Sequence, residues 1–284
     1  MHSGFVSVVG RPNVGKSSLV NRICGTKVAI VSDKPQTTRS AIRGVFHRPE
    51  VTGEGGAQIV FVDTPGIHKP RSALGPRLNA TATAAMRGVE ATCVVIDATA
   101  PMGPGDRFVA ERAPDDAILV VNKIDWAKPA ELVAQLKKAS ELDFSAYFPV
   151  SARTGEGVDE LVEYLIGLMP EGPPFYPDDM ITDVPEAFWV AELVREQLLW
   201  ATREELPHSI ATRVVEWDWP RIRVEILVER ESQKGIVIGK GGEVLKTVGT
   251  RVRKQLPEGA FVELHVKVDK TWTEKSDLLD NLGY

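Results

Sequence analysis

A glycine-rich stretch near the start of the chain, Gly10-Arg11-Pro12-Asn13-Val14-Gly15-Lys16-Ser17, has the spacing G-x-x-x-x-G-K-[ST]. It follows the apolar run Phe5-Val6-Ser7-Val8-Val9 and precedes a helical pattern, so a strand would lead through a tight turn into a helix. Such a turn directs several backbone N–H groups at one point, where the helix dipole also favours an anion. We predict a phosphate site in which Lys16 reaches the β- and γ-phosphates and the Ser17 hydroxyl binds Mg²⁺. An ordinary glycine turn is the alternative for this motif taken alone.

A second motif, Asp63-Thr64-Pro65-Gly66, directly follows the apolar run Ile59-Val60-Phe61-Val62. An acidic residue that closes a strand behind a phosphate loop is placed to bind the Mg²⁺ shell through water. Gly66 can bring a backbone N–H to the γ-phosphate without a side-chain clash. We therefore predict that Asp63 acts on the metal and Gly66 on the γ-phosphate; taken alone, the motif is also consistent with a common turn.

Residues 32–39, between these two motifs, are polar and show neither helical nor strand periodicity. A threonine here can complete the Mg²⁺ shell when a γ-phosphate is present, and hydrolysis would then release the segment. We favour Thr38 slightly over Thr37, and a plain solvated loop is the competing interpretation. The predicted catalytic groups are thus Lys16, Thr38 and Gly66.

Two further motifs suit recognition of a purine base. Asn122-Lys123-Ile124-Asp125 ends an apolar run, and the Asp125 carboxylate can accept hydrogen bonds from the guanine N1–H and exocyclic amine, donors that adenine lacks. Lys123 would lie along the base, and Asn122 would tie this loop to the phosphate loop. Ser151-Ala152-Arg153 is weaker by itself, but the Ala152 N–H can meet the guanine O6. A helix-capping turn is the alternative for Asp125.

Through residue 168, apolar runs alternate with helical patterns, which is typical of a mostly parallel sheet covered by helices on both faces. In such a sheet ligands bind at the carboxyl ends of the strands, where all these motifs fall. The predicted strands are Phe5–Val9, Ile42–His47, Gln58–Val62, Thr92–Ile96, Ile118–Val121 and Tyr147–Val150.

The composition of the 284 residues, 43% hydrophobic and 26% charged, is that of a soluble globular protein with one or two domains. No apolar run is long enough to span a bilayer, and we expect no secretory signal. Cys24 and Cys93 are expected to be small buried hydrophobes in a reducing compartment. Although the net charge is −5, residues 221–254 hold nine Lys and Arg against four Asp and Glu, which favours a local polyanion contact.

A proline-rich stretch, residues 171–184, breaks the alternating pattern and separates a first domain, 1–170, from a second, 185–284. The second domain should contain elements in the order α-β-β-α-α-β. They are a helix from about Pro185 to Leu206, strands Ala211–Trp217 and Arg221–Glu229, helices Ser232–Ile238 and Glu243–Gln255, and a strand Phe261–Val268. We expect Trp217 and Trp219, at the strand turn, to pack in the core, and stacking on bases is the less favoured alternative.

The tetrapeptide Gly239-Lys240-Gly241-Gly242 separates the two short helices of this second domain. Its glycines let a nucleic-acid backbone approach closely, while Lys240 and the following helix N-terminus attract phosphate. Ile236, Val237 and Ile238 would lie beside unstacked bases, and Arg251, Arg253 and Lys254 extend the basic face. The predicted RNA-binding residues are Ile236, Ile238, Gly239, Lys240, Gly241, Gly242 and Arg251. A helix–turn–helix packing corner is the alternative.

Read together, the four motifs of the first domain resemble the translation-factor-related class of GTPases, and the second domain resembles a type II KH domain. The resemblance implies GTP or GDP and Mg²⁺ as ligands. It also implies a set of nucleotide-binding residues, namely Gly10, Asn13, Val14, Gly15, Lys16, Ser17, Ser18, Asn122, Lys123, Asp125, Ser151 and Ala152. The metal set is Ser17, Thr38 and Asp63.

Two departures from the Ras-like pattern bear on mechanism. Ile67 stands where Ras-like proteins carry a glutamine that orients water, so we expect slow intrinsic hydrolysis, improved by a cation or a partner. Asn13 occupies the position at which potassium-activated members of the class help to hold K⁺. Asn13 is therefore a candidate K⁺ ligand, and the alternative is a residue that only stabilises the loop.

The domain order and the sequence Gln36-Thr37-Thr38-Arg39 resemble the Era family of bacterial ribosome-assembly GTPases over nearly the full length. The resemblance implies binding near the 3′ end of 16S ribosomal RNA and a role on the 30S precursor. It also implies a cytoplasmic monomer with peripheral contact to the inner face of the membrane. Two rivals stay open: a signalling GTPase whose second domain binds protein or membrane, and an RNA-binding module that uses GTP only as a structural ligand.

Overall fold

The computed structural model of the chain describes residues 1–50, 55–69, 74–202 and 209–284. By its internal contacts the chain divides into two compact units. The first comprises Met1–Val31 and Thr38–Asp183, and the second comprises Ser32–Thr37 and Val184–Tyr284. The proline-rich stretch therefore belongs largely to the first unit, whereas the short segment 32–37 groups with the second.

The first unit is built on a six-stranded sheet. Its strands are β1 His2–Gly10, β2 Ile42–Arg48, β3 Ala57–Asp63, β4 Ala91–Asp97, β5 Ile118–Asn122 and β6 Ala146–Pro149. They lie in the order β2-β3-β1-β4-β5-β6, and all strand pairs are parallel except β2 with β3. This confirms the predicted α/β class with a mostly parallel sheet, and each predicted strand is present.

Helices cover both faces of this sheet, which explains why its strands read as nearly continuous apolar runs. The described helices of the first unit are α1 Lys16–Ile23, α2 Leu74–Ala84, α3 Pro104–Ala110, α4 Pro129–Ala139 and α5 Val158–Leu168. In β5, Ile118 and Val120 lie in one core with α1 and α5, whereas Leu119 and Val121 lie in the other with α3 and α4. Alternation of side chains along a strand produces this division.

The proline-rich stretch is anchored on the sheet of the first unit. The Gln58 side chain donates to the Tyr176 carbonyl at 2.8 Å and accepts from the Phe175 and Tyr176 N–H groups at 2.7 and 3.0 Å. At the outer edge of β2, the Val45 N–H donates to the Ile181 carbonyl at 2.9 Å. This extended stretch thus supplies partners to backbone groups at the edge of the sheet.

The second unit contains α6 Glu186–Ala201, β7 Ala211–Asp218, β8 Arg221–Val228, α7 Glu231–Ile238, α8 Glu243–Arg253, β9 Phe261–Val268 and α9 Ser276–Asn281. The predicted order α-β-β-α-α-β is therefore confirmed for α6 to β9. The strands form a three-stranded sheet in the order β7-β8-β9, in which β7 and β8 are antiparallel and β8 and β9 are parallel.

Some sequence expectations for the second unit differ from the structure. The helix predicted to reach Leu206 is described to Ala201, and residues 203–208 lie outside the described residues. Trp217 and Trp219 are 39% and 50% exposed, so the predicted core packing is wrong. Both lie at the end of the β7–β8 hairpin, where the last residues of β7, from Val215 to Asp218, are exposed.

The two cysteines are free thiols, and burial raises the pKa of each to about 12; Cys93 is buried as predicted, whereas Cys24 is half-buried. Among the described residues, no helix combines the length and the hydropathy needed to cross a membrane.

We expect Gln58→Leu to lower the free energy of unfolding by about 2 kcal/mol, because it leaves three backbone groups of the proline-rich stretch without their partner. Urea unfolding would measure this change, and limited proteolysis would show faster cleavage within residues 170–184. Gln255→Leu, at an exposed position, is the matched control and should change neither. Equal unfolding midpoints for the two variants would contradict the anchoring role of Gln58.

Candidate nucleotide and nucleic-acid sites

The phosphate loop is shaped by the close packing of two motifs that lie far apart in sequence. Gly15 has a φ of 94°, and a Cβ there would stand 2.3 Å from the Asn122 amide nitrogen. Asn122 in turn donates to the Val14 carbonyl at 2.9 Å. The predicted tie between the base-recognition loop and the phosphate loop is therefore present, and it requires glycine at position 15.

Lys16 opens α1 and is almost fully buried. Its ammonium donates to the Gly10 and Arg11 carbonyls at 3.2 and 3.0 Å. Burial lowers the pKa of Lys16 to about 8, against the opposing effect of the Asp63 carboxylate. A polyphosphate in the loop would favour the charged ammonium, so this side chain is prepared for an anionic ligand.

Three of the predicted metal-binding groups converge on one point. The Ser17 hydroxyl donates to Asp63 Oδ2 at 2.6 Å and lies 2.9 Å from Thr38 Oγ1, which is 3.3 Å from Asp63 Oδ2. Asp63 is fully buried, and burial raises its pKa. Its second oxygen, Oδ1, is buried with no hydrogen-bond partner in the structure. A buried carboxylate with a free oxygen is an incomplete site that a cation would complete.

Thr37 does not take part in this cluster. Its hydroxyl donates to the Lys34 carbonyl at 2.7 Å and lies 2.6 Å from Ser32 Oγ. Of the two threonines that the sequence offered, Thr38 is thus the one whose hydroxyl meets Ser17 and Asp63.

The oxygens of Asp63, Ser17 and Thr38 suit Mg²⁺ better than they suit a metal ion that is coordinated by protein side chains alone. Within the described residues, no group of three or more His, Cys, Asp and Glu side chains could hold a metal ion. Mg²⁺ keeps several waters and is commonly bound through one or two carboxylates and substrate phosphates. One carboxylate and two hydroxyls beside a phosphate loop meet that requirement.

The Asp63 motif packs directly on the phosphate loop through Gly66. A Cβ on Gly66 would stand 2.6 to 2.8 Å from the backbone nitrogen, Cα and Cγ of Pro12. The next residue, Ile67, is 1% exposed and donates its N–H to the Gly10 carbonyl at 3.1 Å. Its buried apolar side chain cannot orient a water molecule, as its residue type predicted.

Asp125 heads a polar cluster on the base-recognition loop. Asp125 Oδ1 accepts from the Ser151 hydroxyl at 2.6 Å, and Oδ2 accepts from Arg153 Nε at 2.7 Å. Burial by itself raises the pKa of Asp125, but these hydrogen bonds outweigh it and lower the pKa. The Ala152 N–H donates to Asn122 Oδ1 at 3.0 Å, so both predicted loops meet here. An ionised carboxylate is the form that accepts two hydrogen bonds from guanine.

Two residues missed by the sequence reasoning stabilise this region. Asp97, at the end of β4, accepts from Lys123 Nζ at 2.6 Å, and the same ammonium donates to the Asn13 carbonyl at 2.7 Å. Arg22, on α1, donates to the Ala152 carbonyl at 3.1 Å. No local pattern marked either residue, since each partner is distant in sequence.

Asn13 is exposed at the tip of the phosphate loop and has a φ of 65°. Asparagine is one of the few side chains that adopt this left-handed conformation readily. The position therefore has a structural reason for asparagine besides the predicted K⁺ contact. The K⁺ contact of Asn13 stays a prediction.

The Gly239–Gly242 loop of the second unit presents its backbone to solvent. Gly239, Gly241 and Gly242 have φ values of 75°, 62° and 81°, which favour glycine. A Cβ on Gly241 or Gly242 would meet nothing within 4 Å. The residue between the glycines, Lys240, is exposed, and α8 begins directly after the loop. The loop thus has the space, the charge and the helix N-terminus that a phosphate backbone requires.

The side chains around this loop divide by exposure. Ile236 and Arg251 are exposed and Ile238 is half-buried, so these three predicted RNA-binding residues lie at the surface. Val237, between the two isoleucines, is fully buried in the second unit, so the prediction that its side chain lies beside the bases is wrong.

Comparison with known proteins finds a matching family for each of the two parts of the chain. Residues 5–123 match the family described as 50S ribosome-binding GTPase, and residues 205–273 match the KH domain family. A crystal structure of an Aquifex aeolicus Era variant bound to GDP and aluminium fluoride is 37% identical, with a TM-score of 0.92. A structure of Era in complex with MgGDPNP and nucleotides 1506–1542 of 16S ribosomal RNA is also 37% identical, with a TM-score of 0.91. Each alignment covers 100% of this chain and 99% of the other chain.

The fold and the nucleotide site define the chain as a P-loop GTPase followed by a KH domain. The full-length likeness to the two Era structures goes further than this class. The chain belongs to the Era family of GTPases.

Gly66→Ala should lower the rate of GTP hydrolysis at least about tenfold, because the added methyl group would push the phosphate loop away from the Asp63 motif. Single-turnover phosphate release would measure the effect. Gly167→Ala, on α5, adds the same methyl group where nothing lies within 4 Å, so it is the matched control. Equal hydrolysis rates for both variants would contradict the packing role of Gly66.

Asp125→Asn should weaken GTP binding at least about tenfold and improve the binding of xanthosine triphosphate. The reason is that an amide can donate to the xanthine C2 carbonyl but cannot accept both guanine donors. Competition with a fluorescent guanine nucleotide would measure both affinities. Asp116→Asn, at an exposed position, provides the same charge change as a control. An unchanged preference for guanine would remove Asp125 from base recognition.

Proposed function

We propose that the chain binds GTP or GDP with Mg²⁺ in the first unit and works as a switch. In this proposal the phosphate loop cradles the phosphates, with Lys16 on the β- and γ-phosphates and Gly66 donating its N–H to the γ-phosphate. Ser17, Thr38 and Asp63 hold Mg²⁺, directly or through water. Asp125 recognises guanine together with the N–H of Ala152, Lys123 lies along the base, and Asn122 ties this loop to the phosphate loop. The observation that carries the proposal is the partnerless buried oxygen of Asp63 beside the two hydroxyls.

Hydrolysis would be slow without help, because the position after Gly66 holds a buried isoleucine. We propose that K⁺, held in part by Asn13, supplies positive charge between the β- and γ-phosphates as the leaving group develops. The exposed position of Asn13 on the phosphate loop is compatible with such a contact.

For the second unit, we propose binding of single-stranded ribosomal RNA across the Gly239–Gly242 loop. Lys240 and the loop backbone would contact phosphates, Ile236 and Ile238 would lie beside bases, and Arg251 would extend the basic face. The RNA in the complex of the related Era supports a target at the 3′ end of 16S ribosomal RNA. The proposed role is in assembly of the small ribosomal subunit, on the 30S precursor, by a cytoplasmic monomer with peripheral membrane contact.

The two activities would be linked by the nucleotide state. In this proposal, GTP and Mg²⁺ order residues 32–39 and 63–76, and hydrolysis releases the RNA. Residues 70–73 of the latter range lie outside the described residues.

Crosslinking and sequencing of bound RNA, with GTP and with GDP, tests this function most directly. We expect crosslinks within residues 236–254, to the 3′ end of 16S ribosomal RNA, that weaken with GDP. Crosslinks absent from this region would favour a signalling GTPase whose second domain binds protein or membrane. Crosslinks with no turnover in the presence of RNA and K⁺ would favour a module that uses GTP structurally.

Lys240→Glu should abolish RNA binding and leave nucleotide affinity unchanged, because it puts a negative charge where the RNA backbone would pass. Fluorescence anisotropy with an RNA oligonucleotide would measure this loss. Lys270→Glu makes the same charge change at another exposed position of the second unit and should weaken binding far less. Equal losses for the two variants would indicate general electrostatics instead of a local site.

Hydrolysis measured in KCl should be faster than in NaCl at equal ionic strength, and Asn13→Ala should reduce that difference. The reason is that K⁺ would need the asparagine oxygen as a ligand. Equal rates of the unmodified protein in the two salts would rule out potassium activation. An unchanged salt difference in Asn13→Ala would leave Asn13 with its structural role alone.

A further inference from the structure

One contact of segment 32–37 has no role in the function proposed above. Within the second unit, Arg195 of α6 donates from Nη2 to the backbone carbonyl of Thr37. Its Nε and Nη2 also donate to Glu192, one turn earlier, at 2.7 and 2.5 Å. Arg195 is fully buried, and its remaining terminal nitrogen, Nη1, has no hydrogen-bond partner in the structure.

Because Arg195 is buried, losing its hydrogen bond to the Thr37 carbonyl would be energetically costly. A guanidinium withdrawn from water depends on its few protein acceptors, since water cannot replace an acceptor that is lost. The Thr37 carbonyl is one acceptor, and the Glu192 carboxylate is the other. Because one nitrogen is already without a partner, loss of the Thr37 carbonyl would oblige Arg195 and its helix to adjust.

The same peptide unit is tied to the nucleotide site. The Thr37 carbonyl and the Thr38 nitrogen belong to one planar peptide group, so neither can reorient without the other. The Thr38 hydroxyl is held by Ser17 and Asp63. When a change of nucleotide moves Thr38, it therefore also moves the carbonyl that Arg195 binds.

On the Arg195 side of the contact, the packing of α6 connects Arg195 to the proposed RNA-binding loop. Helix α6 packs against α8 in the core of the second unit. Helix α8 starts directly after the Gly239–Gly242 loop, so the end of the loop forms the N-terminal cap of α8. A small shift of α6 would therefore act on the helix that positions the loop glycines and Lys240.

We propose that Arg195, held by Glu192, is a positioning residue that makes RNA affinity depend on the nucleotide, by binding the carbonyl of the residue that precedes Thr38. This inference rests on the proposed function and adds the residues that carry its coupling. In the triphosphate state Thr38 is fixed on the metal, and Arg195 receives the carbonyl. In the diphosphate state the carbonyl withdraws, and α6 with α8 shifts.

The test is the ratio of RNA dissociation constants with GDP and with a non-hydrolysable GTP analogue. The probe is an RNA oligonucleotide spanning nucleotides 1506–1542 of 16S ribosomal RNA. We expect a ratio of at least about fivefold for the unmodified protein. The double variant Glu192→Gln, Arg195→Met removes both charges together and should bring the ratio close to one, with both nucleotide affinities retained.

The matched control is Arg213→Met with Glu225→Gln. This pair joins β7 and β8 in the same unit with N–O distances of 2.8 and 2.5 Å. The control should keep the full ratio. Because both nucleotide states are measured on one preparation, the ratio does not depend on how much protein is folded.

If the double variant does not fold, Arg195→Lys carries the test, since lysine keeps the charge beside Glu192 but lacks the forked donors. Its ratio should fall below that of the unmodified protein. An unchanged ratio in the variants, with a normal ratio in the unmodified protein, would overturn the role of Arg195 alone. A ratio of one in the unmodified protein would overturn the proposed switch itself.

Discussion

The burial of the Asp63 carboxylate is the constraint on which the rest of the structure depends. A carboxylate removed from water is costly unless charges and donors surround it. Here one oxygen is met by two hydroxyls and the other has no partner, so the protein alone leaves the site incomplete. Lys16 supplies positive charge, but burial depresses its own pKa to about 8. A divalent cation would balance the charge of Asp63, and a polyphosphate would balance that of Lys16. A bound nucleotide with its metal ion would therefore complete this site.

The sheet of the first unit brings these groups together because parallel strands end at one edge. Asp63, Asp97 and Asn122 each close a strand there, and the phosphate loop follows β1. Hydrogen bonds between the loops then fix them relative to one another. The second unit also relies on a short backbone segment, because its glycine-rich turn exposes backbone groups at the start of α8. Both sites therefore rely on backbone geometry, and side chains supply charge and selectivity.

Most of the fold and of the candidate site could be predicted because the signals are local. The strands appear as apolar runs, and the phosphate loop, Asp63 and Asp125 lie within short motifs whose spacing reflects their chemistry. What could not be predicted depends on pairs distant in sequence: Lys123 with Asp97, and Arg195 with Thr37, 158 positions apart. Arg195 lies in a helix whose pattern indicates only a core-facing element. The exposure of Trp217 and Trp219 was missed because residue type gives their apolar character but not which end of a strand is exposed.

Amide hydrogen exchange of residues 32–39 and of α6, compared between the GDP and Mg²⁺–GTP-analogue states, tests the central claim most directly. If the cation on Asp63 recruits Thr38 and thereby fixes the Thr37 carbonyl on Arg195, amides of 32–39 and of α6 should exchange more slowly in the triphosphate state. The control region, β9, should exchange equally in both states. Equal exchange of 32–39 and α6 in the two states would contradict the claim that completion of the Asp63 site organises this protein.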